Sequence, residues 1–351
     1  MEILSFKYTK TCCKVSLFLG MLLFFQVAIG QAGFEPLEQF LNNSKKELGK
    51  NYVCMVYHDG KLAFKKEAGD LKTNTQIPIA GSSKWLTTAL VMTFVDQGKL
   101  NLDDKVSTYL PIFATYGKAY ITIRQCLSHL TGIQAPVGVG NLLQKTKFNT
   151  LEEEVNAFAS KREIQDNPGV AFRYSNIGLN IAARVLEVIS KKQFDQLMAE
   201  RIFRPLNMRN SSFYSNKAVN PSDGAVATAA DYMNFLNMLL NKGMFNNRRI
   251  LSEKAIEEME KPEMNLNMVQ YAPAIGTGYV YALGAWIINS NEQGMATALA
   301  APGSNGCYPW IDICHHYAAL IFETGKNGEQ KKDWYIQLKN NVDDIIPGNC
   351  K

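Results

Sequence analysis

The chain has 351 residues, of which 46% are hydrophobic, and a formal net charge of +5 at pH 7. An apolar share of this size is ordinary for a globular protein and excludes a disordered chain. The length allows one large domain or two intertwined ones. No basic cluster alternates with aromatic residues, so no nucleic-acid partner is predicted.

The first 30 residues have the pattern of an export signal. Three lysines precede an apolar run from Val15 to Ile29, and small residues follow before Gln31. The apolar run is shorter than the ~20 residues that a membrane-spanning helix needs. We therefore predict a signal peptide over residues 1–30, a secreted or periplasmic protein, and no stable membrane span after signal removal. An uncleaved membrane anchor is the alternative.

A β-hairpin and a long helix are predicted next. Residues 51–57 and 61–66 are strand-like runs on either side of the Asp-Gly pair at 59–60, a pair typical of hairpin turns. A helix is predicted from Ser82 to near Gly98, because its apolar residues repeat at four-residue spacing and glycine suits the position after a helix.

The remainder of the chain changes from helical to strand-like patterns. Helices are predicted near 177–188, 194–203 and 229–241, then strands over 283–288, 296–300, 308–311 and 317–322, and a last helix over 334–345. Strands at both ends with helices between them predict an α/β (α+β) fold. Its antiparallel sheet would be assembled from the two ends of the chain.

Lys84 is the first residue that points to chemistry. An apolar run ends at Ala80, and Gly81, Ser82 and Ser83 then lead into the predicted helix. Lys84 falls in the first turn, where a cation opposes the helix dipole. A functional lysine is one interpretation, and an exposed lysine whose stem covers apolar surface is the other.

A second stretch, Tyr174-Ser175-Asn176, also leads into an amphipathic helix. The order and spacing of the motifs resemble the serine beta-lactamase-like hydrolases, which include class C beta-lactamases, D-Ala-D-Ala carboxypeptidases and related esterases. The segments that carry this resemblance are 80–87, 122–132, 167–176, 202–208, 224–251 and 302–312. Together they cover nearly everything from about residue 35 to about residue 340.

The resemblance implies a beta-lactamase/transpeptidase-like fold in which an antiparallel sheet is flanked by helices. One beta-lactamase-related domain would span 31–351. Its sheet lobe would take about 35–110 and 221–346, and its helical lobe about 110–220. The active site would lie in the cleft between these lobes.

The first motif departs from the family pattern. In the resembled family it is Ser-x-x-Lys, and its serine is the nucleophile, but counting back three from Lys84 gives Gly81. Ser82 and Ser83 lie two and one residues before the lysine, and such neighbours do not share a helix face. Neither serine simply inherits the role, although Ser82 is the nearest replacement.

The resemblance implies that Lys84 and Tyr174 share the acid and base work and are the catalytic candidates. We expect the lysine to favour the tyrosine phenolate, because an opposite charge lowers a tyrosine pKa. Asn176 would orient the substrate amide or ester. The N–H of Gly81 would remain available to an oxyanion hole.

The third family motif is a His, Lys or Ser, then any residue, then Gly. Ala301-Pro302-Gly303 stands in its place. Ala301 has no polar group for a substrate carboxylate, whereas Gly303 permits a close backbone approach. The substrate-binding candidates are therefore Gly81, Ser82, Asn176, Ala301 and Gly303.

Histidine and cysteine offer weaker signals. His129 is expected to be structural, since no G-x-S-x-G elbow accompanies it. Five cysteines follow the signal, an odd number, so at least one is free or pairs between chains; they are Cys54, Cys126, Cys307, Cys314 and Cys350. The run 314–316 offers soft metal ligands, but a hairpin turn is favoured there. No metal and no cofactor are predicted.

Two functions compete. One is a secreted hydrolase of small esters or D-amino-acid peptides that acts through an acyl-enzyme. The other is a non-catalytic protein on the same fold that binds a small molecule or a peptidoglycan-like ligand. Two altered motifs favour impaired catalysis, while Lys84, Tyr174 and Asn176 are retained. In either case the partner would be a small ester, amide or peptide.

Overall fold

The computed structural model describes residues 33–135, 147–325 and 327–348. The predicted signal peptide and Cys350 lie outside the described residues. The α-helices within them are Glu35–Asn43, Lys45–Leu48, Ser83–Asp96, Val106–Tyr109, Ile112–Thr115, Ile123–Leu127, Leu151–Lys161, Ile177–Ser190, Phe194–Met198, Ala229–Leu240, Glu253–Glu260 and Lys332–Asp343. None of the helices in these ranges combines the length and the apolar character needed to cross a membrane.

The strands of the described residues are numbered in chain order. They are β1 (Tyr52–His58), β2 (Lys61–Ala68), β3 (Ile77–Pro78), β4 (Phe172–Arg173), β5 (Val226–Ala227), β6 (Met244–Phe245), β7 (Arg248–Arg249), β8 (Val269–Tyr271), β9 (Val280–Tyr281), β10 (Trp286–Ser290), β11 (Ala296–Ala300), β12 (Tyr308–Asp312) and β13 (Tyr317–Glu323).

The main sheet joins the two ends of the chain. Its order is β2-β1-β13-β12-β11-β10-β9, and each neighbouring pair is antiparallel. β1 pairs with β13 from Tyr52 opposite Glu323 to His58 opposite Tyr317. Every residue of β13 is buried, as expected of a strand in the middle of a sheet that is covered on both faces. The predicted antiparallel sheet built from both ends is confirmed.

The two faces of the sheet belong to two cores, because successive strand residues point to opposite sides. Val53 and Met55 of β1 pack in the larger core, which contains the helix Ser83–Asp96. Cys54 and Val56 pack in the second core, with the first and last helices of the described chain.

The helix Ser83–Asp96, called the central helix below, lies inside the molecule. Every residue from Ser83 to Phe94 is buried, and a helix surrounded on all sides must be compatible with an apolar environment throughout. The sequence predicted its start at Ser82. Instead a 3₁₀ turn over Ala80–Ser82 precedes it, and Gly98 follows it with a φ of +65°.

Two other predicted elements have different bounds. The strand predicted over 283–288 begins only at Trp286, because residues 283–285 form a bend. Gly284 takes a φ of +81° there, and a Cβ on it would lie 2.3 Å from Thr88 Oγ1. The helix predicted over 194–203 is present, but its second half, Ala199–Phe203, is wound as a π-helix.

Residues 313–316 form the predicted turn between β12 and β13. Donor atoms of Asp312, Cys314 and His315 lie within 4.8 Å of one another. Cys314 is disulfide-bonded, so it offers no thiolate, and Lys339 Nζ already donates to Asp312 Oδ2 at 2.6 Å. This cluster is therefore a poor fit for a metal ion. Cys54, Cys126 and Cys307 are free and buried.

Candidate active site

The turn that carries Gly81 is held by hydrogen bonds to segments that lie far away in sequence. Ile79 N donates to Ala225 O, and Tyr232 Oη donates to the carbonyl oxygen of Ser82 at 2.8 Å. Ala80 takes a φ of +45°, a backbone conformation uncommon for a residue with a side chain. The surrounding contacts thus impose an unusual backbone directly before Gly81.

Lys84 points from the first turn of the central helix into a fully occupied polar site. Its ammonium donates to Asn176 Oδ1 at 3.0 Å, to Asp223 Oδ1 at 3.0 Å and to the carbonyl oxygen of Ser222 at 3.3 Å. The residue is 1% exposed. Burial lowers the pKa of Lys84, and the adjacent carboxylate of Asp223 opposes that shift. Three acceptors match the three N–H donors of an ammonium.

Asp223 is a site residue that the sequence did not single out. Its two carboxylate oxygens accept separately, Oδ1 from Lys84 and Oδ2 from Asn176 Nδ2 at 2.5 Å. Ser222 Oγ donates to the carbonyl oxygen of Asn176 and fixes the loop beside it. One aspartate in a loop gives no periodic signal, so only the folded arrangement reveals its partner.

Tyr174 lies against Lys84, with the lysine Nζ 4.7 Å from the centre of the tyrosine ring. The ring also stacks on Trp286 at 5.6 Å between centroids. Burial raises the pKa of Tyr174 well above its ordinary value, and the negative charges of Asp223 and Glu329 add to that shift. This direction is opposite to the expected preference for the phenolate, because burial disfavours the charged form of the tyrosine.

Both serines next to Gly81 are engaged in the fold. Ser82 Oγ donates to the carbonyl oxygen of Ala301 at 2.7 Å, and Ser83 Oγ accepts from Ala225 N at 3.1 Å. Each serine is 0% exposed. Neither hydroxyl faces the cleft described below, although Ser82 was a substrate-binding candidate.

Gly81 faces Tyr174 where a side chain would be needed. A Cβ placed on Gly81 would lie 3.1 Å from Tyr174 Oη, 2.8 Å from the carbonyl oxygen of Pro302 and 3.8 Å from Gly303 Cα. The structure therefore brings Gly81, Tyr174 and Gly303 together. It also places the carbonyl of Pro302 so close that any side chain at position 81 would have to displace it.

The residues of the third motif differ in their surroundings. Gly303 N donates to Cys307 O, and a Cβ on Gly303 would lie 2.3 Å from the carbonyl oxygen of Ile79. Glycine is therefore required for this backbone to approach the turn before Gly81. Ala301 is 3% exposed, and its carbonyl holds Ser82.

His129 is buried behind the site. Its Nδ1 accepts from Ser175 N at 3.4 Å, and its ring packs 4.6 Å from Tyr174 and 4.8 Å from Tyr281. Burial and the charge of Lys84 lower the pKa of His129 well below its ordinary value, so the ring is neutral. These contacts agree with a structural histidine.

A cleft opens over Gly81. It holds about 310 Å³ of space, including its mouth. Nine described residues line it: Gly81, Tyr174, Asp223, Pro273, Ile275, Trp286, Pro302, Ser304 and Glu329. The cleft thus combines aromatic and apolar walls with two carboxylates, and this mixture is typical of small-molecule sites.

Comparison with known proteins identifies the class of this fold and site. Residues 51–340 match the sequence model of the Beta-lactamase family. The chain therefore belongs to the Beta-lactamase family, a group of serine hydrolases that share this fold.

Curated relatives are distant and longer. PbpX of Bacillus subtilis (strain 168), a penicillin-binding protein homologue, is 26% identical over 192 residues, which are 52% of this chain and 46% of that protein. Beta-lactamase-like protein 4 of Dictyostelium discoideum is 24% identical over 330 residues, 76% of this chain and 57% of that protein. The chain spans about half the length of these relatives.

Solved structures share the whole fold. A beta-lactamase homologue from Bacteroides dorei DSM 17855 has a TM-score of 0.78 and 25% identity, over 89% of this chain and 98% of that one. EstCE1, a hydrolase with promiscuous acyltransferase activity, has a TM-score of 0.75 and 19% identity, over 90% of this chain and 99% of that one.

Proposed function

We propose that this protein keeps the ligand cleft of the Beta-lactamase family and has lost acyl-enzyme catalysis. Its role would be to bind a small ester, amide or peptide without turning it over through a covalent intermediate. The observation that supports this proposal most directly is the absence of a side chain at Gly81. A side chain there would meet the hydroxyl of Tyr174, yet glycine has no nucleophile to offer.

The neighbouring hydroxyls support the same conclusion. Ser82 Oγ donates a hydrogen bond to the carbonyl oxygen of Ala301. Moving this hydroxyl into the cleft would break that hydrogen bond and would also shift the start of a helix that is buried on every side. Each displaced core side chain would lose ~1.5–3 kcal/mol of burial. No hydroxyl gained by the shift offsets such a loss.

The protonation states also oppose acyl transfer. A serine nucleophile needs a base that accepts its proton. Burial raises the pKa of Tyr174 well above its ordinary value, and Lys84 Nζ donates to Asp223 Oδ1 at 3.0 Å. A raised pKa favours the protonated tyrosine, so it disfavours Tyr174 as the base for a serine.

The ligand class is proposed from the relatives. EstCE1 is a hydrolase with acyltransferase activity, and PbpX is a penicillin-binding protein homologue. Both descriptions fit acyl compounds of small size. The sequence allows either a small molecule or a peptidoglycan-like compound as this ligand.

Hydrolysis assays test the loss of catalysis. We expect the native protein to release no p-nitrophenol from p-nitrophenyl butyrate and to leave a chromogenic beta-lactam intact. Gly81→Ser and Gly81→Ala form a matched pair, since both must displace the carbonyl of Pro302 and only the serine adds a nucleophile. A burst of p-nitrophenol from the native protein, abolished by Ser82→Ala, would contradict the proposal.

Export is proposed on the sequence pattern of residues 1–30 alone. Expression in a secreting host should give a mature protein whose N-terminal sequence begins at Gln31. A protein that retains residues 1–30 would contradict this part of the proposal.

A further inference from the structure

Cys314 lies in the turn between β12 and β13 and is disulfide-bonded. The other cysteines within the described residues are free, namely Cys54, Cys126 and Cys307. The partner of Cys314 is therefore one of the cysteines outside the described ranges, which are Cys12, Cys13 and Cys350. The first two belong to the predicted signal peptide and would leave with it.

The position of Gly348 favours Cys350 as the partner. A Cβ placed on Gly348 would lie 2.6 Å from Nε2 of His315, the residue that follows Cys314. Two residues of extended chain span at most about 7 Å, and a disulfide joins Cα atoms that lie about 4.4–6.8 Å apart. Cys350 follows Gly348 by two residues, so the length of the chain brings it within reach of Cys314.

Polar contacts already hold the last helix, Lys332–Asp343, against this turn. Lys339 Nζ donates to Asp312 Oδ2 at 2.6 Å and to Asp343 Oδ2 at 2.7 Å. Tyr317 Oη donates to Asp343 Oδ1 at 2.7 Å, and His315 N donates to Asp312 Oδ1 at 2.7 Å. The fold thus brings the turn and the end of the helix together, so closing an S–S bond between them requires little further ordering.

The three free cysteines are poor competitors for either sulfur. Cys54, Cys126 and Cys307 are each 0% exposed, whereas Cys314 is half-buried. Burial raises the pKa of Cys54 to about 12, and it also raises the pKa of Cys126 and the pKa of Cys307. Thiol–disulfide exchange needs an accessible thiolate, so these three thiols do not exchange while the chain is folded.

We propose that Cys314 and Cys350 form a disulfide that fastens the residues after the last helix to the turn between β12 and β13. The two thiols give up two protons and two electrons as the S–S bond forms. A small-molecule disulfide such as oxidised glutathione accepts them by exchange and leaves as two thiols. Such a bond persists in an oxidising compartment, in agreement with the proposed export. The inference concerns a part of the molecule outside the cleft, so it stands apart from the proposed loss of catalysis.

Peptide mapping without reductant tests the pairing. The protein is isolated from a secreting host, its free thiols are blocked with N-ethylmaleimide in urea, and the chain is cleaved before aspartate. This cleavage gives the peptide 312–332, whose one cysteine is Cys314, and the peptide 344–351, whose one cysteine is Cys350. We expect the two peptides as one linked species that dithiothreitol separates. N-ethylmaleimide on Cys314 before reduction, or a link from Cys314 to another cysteine, would overturn the proposal.

Thermal unfolding measures what the bond contributes, because a disulfide restricts the unfolded chain. Reduction should lower the unfolding midpoint of the native protein by about 5 °C. Cys350→Ser should begin at the lower midpoint and change no further on reduction. Cys307→Ser is the matched control, since its hydroxyl can replace Cys307 Sγ as donor to the carbonyl oxygen of Pro78, and it should keep the decrease on reduction. An equal midpoint of the native protein with and without reductant would contradict the fastening role, and the peptide map decides the pairing even if a variant does not fold.

Discussion

At the scale of single residues, the ion pair between Lys84 and Asp223 links the first turn of the central helix to a loop that lies far away in sequence. Lys84 Nζ lies 3.0 Å from Asp223 Oδ1, and the side chains of Lys84 and Asp223 are 1% and 11% exposed. A charge buried to this extent is tolerated only while its partner is present. The pair therefore couples the geometry of the cleft to the stability of the whole chain.

Lys84→Met should lower the free energy of unfolding by about 3–5 kcal/mol, because it leaves the carboxylate of Asp223 buried without its cation. The measurement is urea unfolding at pH 7. Adding Asp223→Asn to Lys84→Met should recover part of the loss by removing the stranded charge. A loss below about 1 kcal/mol in the single variant would show that the pair contributes little.

His129 should make the protein sensitive to acid. Its pKa in the folded state lies well below its ordinary value, so below about pH 6.5 the unfolded chain binds a proton that the folded chain does not. The stability contribution is thus complete above that pH and falls as the pH decreases, by up to about 1.4 kcal/mol per unit.

The matched variant for this effect is His129→Asn, because asparagine tolerates the φ of +60° at this position. Urea unfolding between pH 7 and pH 5 should show a shallower decline in the variant than in the native chain. Equal slopes would mean that His129 takes up a proton in the folded state without cost.

At this scale, the sequence predicted the residues of the site but not the direction in which the pKa of Tyr174 shifts. Lys84, Tyr174 and Asn176 could be found from motif spacing, and the structure brings them together. Asp223 and Glu329 could not, because each comes from a loop whose approach to the cleft depends on the complete fold. Burial raises the pKa of Tyr174, and those two carboxylates add to the shift.

At the scale of elements, local signals located most helices and strands, and tertiary contacts altered their ends. The Asp-Gly turn gave the hairpin of β1 and β2 directly. β10 begins at Trp286, later than its apolar pattern indicated, because the bend at Gly284 packs against Thr88 of the central helix. Such a contact between distant segments leaves no periodic mark in the sequence.

The short helix Ile123–Leu127 depends on a capping box at its start. Thr122 Oγ1 accepts from Gln125 N, and Gln125 Oε1 accepts from Thr122 N at 3.0 Å. Thr122→Ala should cost about 1 kcal/mol of unfolding free energy, whereas Thr122→Ser keeps the acceptor and should stay near the native value. Equal losses in both variants, measured by urea unfolding, would exclude the cap as the cause.

At the scale of the whole molecule, the main sheet makes the two ends of the chain interdependent. β1 lies between β2 and β13, and all seven residues of β13 are buried. The site is assembled in the same way, since Gly81 comes from the first third of the chain and Gly303 and Glu329 from the last. The cleft can exist only after the ends have met.

A chain that stops at residue 316 tests this interdependence, because it lacks β13 and the final helix. It should show no cooperative thermal transition by circular dichroism, while the complete chain should unfold in one step. A cooperative transition in the shortened chain would show that the remaining residues fold without the strand that joins the two ends.

The most direct test of the central claim is intact-mass spectrometry after treatment with a fluorophosphonate, which attaches covalently to reactive serines. We expect the native protein to gain no adduct under conditions in which a known serine hydrolase is fully modified, because Gly81 has no hydroxyl and the Ser82 hydroxyl is hydrogen-bonded to the carbonyl oxygen of Ala301. A stoichiometric adduct on the native protein that disappears in Ser82→Ala would contradict it.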